Sequence, residues 1–133
     1  MIVPKTIFNP LWIMLIFLSV SAYSQETDGA RIEFKEDNYD FGEIEQGNKA
    51  EHLFSFKNTG NIPLVISNIL TTCGCTAPSW PKEPIPPGGS GVIKVVFNST
   101  GKMGKQNKVV TVFSNSVNKK DQITIQANII PGY

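Results

Sequence analysis

Cys73-Gly74-Cys75 holds the only two cysteines of this sequence and the side chains best able to do chemistry beyond packing. Two thiols this close pair readily in an oxidising compartment. Residues i and i+2 of an extended strand lie about 6.6 Å apart, near the upper limit for a disulfide, so Gly74 has to let the backbone bend. Closing so short a loop contributes only about 1.6 kcal/mol through chain entropy, which makes stapling the fold a poor reason for the pair.

Three readings follow. The plainest is a structural pair, bridged or reduced, that orders the loop ahead of a proline-rich segment. The second is a redox-active pair, although the usual Cys-x-x-Cys at a helix start is missing. The third is a soft-metal site such as Cu(I), with His52 or Met103 adding to Cys73 and Cys75. Two cysteines alone leave such a site incomplete, and no second pair exists for zinc.

His52 is the only histidine. It shares a strand face with Phe54 and Phe56, which suits the edge of a core better than a base or ligand. There is no paired-acid motif, no Gly-rich phosphate loop and no nucleophile elbow, so no catalytic residue and no cofactor are expected. Glu43, Glu45 and Glu51 read as a solvated face. Asn98-Ser99-Thr100 matches the glycosylation sequon and is read as chance.

The elements that must carry these residues alternate with period two. Ile32 and Phe34 alternate with Arg31, Glu33 and Lys35, and Asp37 to Gly42 then reads as a turn-rich break. In Glu51 to Asn58, the residues His52, Phe54 and Phe56 oppose Leu53, Ser55 and Lys57. After the turn at Asn58-Thr59-Gly60-Asn61, Pro63 opens a strand through Leu64, Val65, Ile66 and Ile69. The five prolines between Pro78 and Gly91 exclude helix and central strand, predicting a loop tied down by Trp80 and Ile85. Trp80 is read as buried, because its apolar area is large. Val92 to Phe97, Val109 to Phe113, and Ile123 to Ile129 complete the set. About seven short strands without helical periodicity predict an all-β, immunoglobulin-like antiparallel sandwich.

The chain of 133 residues is one domain in size, with 41% hydrophobic and 17% charged residues. Its net charge of +1 is spread along the sequence, so nucleic acid is not an expected partner. Residues 1–24 read as a signal peptide: Lys5, the apolar run Leu11 to Val20, then a small-residue exit at Ser21 to Ser24. Cleavage after Ser24 fits best and after Ala22 second, leaving 25–133 as the domain. Asn9-Pro10 cuts the apolar run short of the roughly 18 residues a membrane span needs, so no span remains after cleavage. The mature part carries eleven basic and eleven acidic residues, which disfavours charge steering of a partner.

Taken in order, Tyr39-Asp40-Phe41-Gly42, Ile44, Gly47, His52 to Gly60, Pro63-Leu64 and Cys73-Gly74-Cys75-Thr76 resemble the bacterial domain-of-unknown-function 1573 family. Trp80-Pro81, Ile85, Pro87-Gly88, Gly91, Ile93, Val95, Phe97, Thr111, Ser114 and Asn115 continue the match. The resemblance implies export to the bacterial envelope and an immunoglobulin-like fold related to the major-sperm-protein and cilium-associated types. It implies no activity. Physically, Gly42, Gly47 and Gly60 suit turns with positive φ, Asn58 suits a local backbone hydrogen bond, and Phe41, Phe54 and Phe56 suit the core.

Two functions are consistent with these residues. One is a non-enzymatic binding or scaffolding module in the periplasm or outside the cell, engaging a protein or envelope component by loops or an open sheet edge. The other is a thiol redox or soft-metal-handling protein centred on Cys73 and Cys75.

Overall fold

The structure is a computed structural model and describes residues 28–132; the segment read as a signal peptide, 1–24, lies outside them. Among the described residues there is no helix, and eight strands run β1 (Ile32–Phe34), β2 (Asn38–Glu45), β3 (Lys49–Asn58), β4 (Ile66–Thr71), β5 (Thr76–Ser79), β6 (Ser90–Asn98), β7 (Gly104–Ser114) and β8 (Lys120–Ile130). They form two four-stranded sheets, ordered β1-β3-β6-β5 and β2-β8-β7-β4.

Alternation sets which side chains lie between the sheets. Phe54 and Phe56 of β3 meet Ile93, Val95 and Phe97 of β6 across Val110 and Val112 of β7 and Ile123, Ile125, Ala127 and Ile129 of β8, all buried. In β4 the buried residues Ile66 and Ile69 stand three apart, because an irregularity between Ile66 and Asn68 rephases the strand.

The sandwich departs from the sequence-based expectation at four places. The segment 37–42 is largely strand: β2 pairs in parallel with β8, and the register shifts between Asp40 and Glu43. There Asp40 Oδ1 accepts the Gly42 N–H at 2.8 Å and Gly42 takes φ 72°, so the turn-like residues make a bulge inside a strand. The fourth strand starts at Ile66, while Leu64 bridges Ile85 of the proline-rich segment. Pro78 and Ser79 belong to β5, an edge strand where the missing proline N–H is tolerated. Gly60 has no positive φ; a Cβ there would press on the backbone, 2.6 Å from Arg31 N and 2.7 Å from Ala30 Cα.

Candidate functional site

Cys73 and Cys75 lie where the chain crosses from β4, the edge of one sheet, to β5, the edge of the other. A disulfide joins them, with their Cα atoms 5.4 Å apart. The backbone turns at Gly74 and Cys75, which shortens the extended-strand spacing without using left-handed φ. Both cysteines are half-buried and Gly74 is exposed.

The crossover is anchored on both sides by other bonds. Thr71 Oγ1 donates to the Cys73 carbonyl at 2.8 Å, and Thr72 N–H donates to the Val109 carbonyl at 3.1 Å. Asn98 N–H donates to the Cys75 carbonyl at 2.8 Å, and Thr76, itself buried, packs beneath. At about 1 kcal/mol each, three such hydrogen bonds outweigh the roughly 1.6 kcal/mol that chain entropy assigns to the bridge.

His52 is held elsewhere. Its ring stacks on Tyr39 at 3.5 Å between centroids, packs edge-on to Phe54 at 4.8 Å, and hydrogen-bonds Glu36 through Nε2. It belongs to β3, separated from β5 by β6, or about 10 Å across two strand spacings. The structure therefore does not gather His52 with Cys73 and Cys75 into one ligand set, since the aromatic stack and Glu36 occupy the imidazole. Among the described residues no three His, Cys, Asp or Glu side chains come together to hold an ion. Met103 sits exposed in the loop joining β6 to β7.

Trp80 is half-buried against the core, with Lys82 Nζ 3.1 Å from its ring centroid. Its Nε1 is buried and has no protein hydrogen-bond partner.

A second feature follows from unequal strand lengths. β1 has three residues and covers only Phe56 to Asn58 of the ten-residue β3. Lys35 N–H donates to the Ser55 carbonyl at 3.0 Å, and Thr59 N–H donates to the Arg31 carbonyl, so odd-numbered positions of β3 face the β1 side. Asn58 N–H, of the opposite parity, donates towards Gly89 on the β6 side. The backbone N–H and C=O groups of Lys49, Glu51 and Leu53 therefore point out of the sheet edge, with no partner strand there among the described residues.

Exposed apolar side chains flank this edge. Leu53 (53% exposed) and Val92 (41%) lie on the outer face, and Lys94, opposite Leu53, pairs with Glu51 at 3.3 Å. Below them a shallow groove runs over Phe34, Ser55, Phe56 and Gly91. An open sheet edge was expected from the sequence, but not the strand that carries it; the only trace of that strand there is that the run at Ile32 to Phe34 is much shorter than the run at Glu51 to Asn58.

A family model described as protein of unknown function (DUF1573) matches residues 32–129. No curated protein matches the sequence. Among solved structures, a protein of unknown function from Porphyromonas gingivalis W83 superposes with TM-score 0.66 at 17% identity, covering 83% of this chain and 51% of that one. This chain thus spans about half the length of that relative. The ASH / PapD-like domain 7 of human CEP192 gives TM-score 0.65 at 12% identity over 87% of this chain and 99% of that one. Secreted serine protease VesC from Vibrio cholerae gives 0.54 at 15%, over 76% of this chain and 23% of that one. At such identities these likenesses show the shared all-β, PapD-like or immunoglobulin-like sandwich.

Proposed function

The chain belongs to the DUF1573 family, and from that premise we propose that it is a non-enzymatic binding module of the bacterial envelope that takes up an extended segment of a partner protein along β3. One observation carries this reading: among the described residues, the outward backbone groups of Lys49, Glu51 and Leu53 have no strand beside them. An added strand satisfies those groups, and Leu53 with the Glu51–Lys94 pair supplies side-chain selectivity on the outer face. The absence of catalysis in this reading rests on the single histidine, which is engaged by Tyr39 and Glu36. Export belongs to the same reading and rests on the sequence of residues 1–24.

The test exploits strand parity. Glu51→Pro removes an N–H that points out of the sheet, whereas His52→Pro removes one directed at β6. Glu51→Pro is expected to keep the fold by circular dichroism. A photo-crosslinker at Lys49 in cells should give a protein adduct that the added Glu51→Pro change abolishes. An adduct unaffected by that change, or adducts only from loop positions, would overturn the edge as the binding surface.

A further inference from the structure

At the β4–β5 crossover Gly74 is exposed between two half-buried cysteines, and the two sulfurs are in unequal surroundings. No heavy atom beyond its neighbours lies within 4 Å of where a Gly74 Cβ would stand, so the loop is open above that residue. Thr76 Oγ1 lies 3.9 Å from Cys75 Sγ, within reach of a sulfur hydrogen bond. Among the described residues Cys73 Sγ has no such hydroxyl, although its carbonyl is held by Thr71 Oγ1. The hydrogen bonds of the crossover to Val109 and Asn98 are made by backbone groups and involve neither sulfur.

We propose that Cys73–Cys75 is a thiol–disulfide exchange site for an exposed dithiol, with a fixed polarity. A thiolate of the dithiol attacks Cys73 Sγ and forms a new S–S bond there. The Cys73–Cys75 bond breaks, and its electron pair leaves on Cys75 Sγ, where the Thr76 hydroxyl donates to the thiolate before water protonates it. The second thiolate of the dithiol then attacks its own partner sulfur and releases Cys73 as a thiolate. The dithiol ends as a disulfide, oxidised by two electrons, and Cys73 and Cys75 end as thiols. The reverse sequence, with a disulfide as oxidant, restores the bridge. This activity stands apart from the binding edge on β3.

Dithiothreitol serves as the probe. Native protein is sampled into iodoacetamide, alkylated thiols are counted by intact mass, and circular dichroism follows the sheets. Two alkyl groups should appear at a rate within about tenfold of that for the same protein unfolded in guanidinium, with the sheet signal retained. Thr76→Val should slow the native rate about fivefold and leave the unfolded rate unchanged, while Thr76→Ser stays within about twofold of wild type. Gly74→Val, which covers the open side, should also slow the native rate. A native protein that resists reduction until unfolded, or a sheet signal lost as thiols appear, would overturn the exchange site. Equal native rates for the Val and Ser variants would overturn its polarity. If Thr76→Val does not fold, Thr76→Ala takes its place in that comparison, and the wild-type and Gly74→Val rates decide the exchange site by themselves.

Discussion

Removing the side chain of Asn58 should cost more than any loop substitution elsewhere, because this fully buried asparagine closes one end of the sandwich. Its Oδ1 accepts from Arg31 N at 3.2 Å and Gly60 N at 3.0 Å, and its Nδ2 donates to Ile62 O at 2.8 Å and Ile85 O at 3.0 Å. One side chain thereby ties the chain entering β1 and the β3–β4 turn to the proline-rich segment. Neutral hydrogen bonds at about 1 kcal/mol each give a nominal total near 4 kcal/mol. Water can reach the part-buried groups and recover some of it, so Asn58→Ala should lose about 3 kcal/mol. For a domain of this size that lowers the thermal midpoint by roughly 12–20 °C. Urea unfolding followed by circular dichroism should show a lower midpoint with an unchanged slope. Asn58→Asp keeps the acceptor, loses both donors and buries a charge, so its loss should be at least as large. A loss below about 1 kcal/mol for Asn58→Ala would refute the view that these four bonds hold the end together.

Gly60→Ala drives a Cβ into the backbone of residues 29–31 and should cost about 2 kcal/mol or more, whereas Gly74→Ala, over open space, should be near neutral; chemical denaturation compares the two. His52→Phe keeps an aromatic ring against Tyr39 and should stay within about 1 kcal/mol of wild type, while His52→Ala empties the stack and should lose clearly more in the same assay. Lys82→Met removes the cation over the indole and should change Trp80 emission with a stability change under about 1 kcal/mol, read by fluorescence during unfolding. Protein recovered from the envelope should begin at Gln25, as read by intact mass.

The residues of this chain determine much of the fold by themselves. Phe54 and Phe56, Ile93 to Phe97, and Ile123 to Ile129 alternate so regularly that their inner face is legible without coordinates, because side-chain direction in a strand is a local property of the pleat. The closeness of Cys73 and Cys75 and the solitary His52 were equally legible, since they are matters of composition and spacing. Only the tertiary structure decided which strands meet. The parallel pairing of β2 with β8, the close approach of Gly60 to residues 29–31, and the partners of Asn58 all join segments far apart in the chain. Period-two alternation is compatible with many such pairings, and packing selects among them. The same selection placed the disulfide between two sheet edges and, among the described residues, left Lys49, Glu51 and Leu53 without a strand beside them, because a three-residue β1 cannot cover a ten-residue β3.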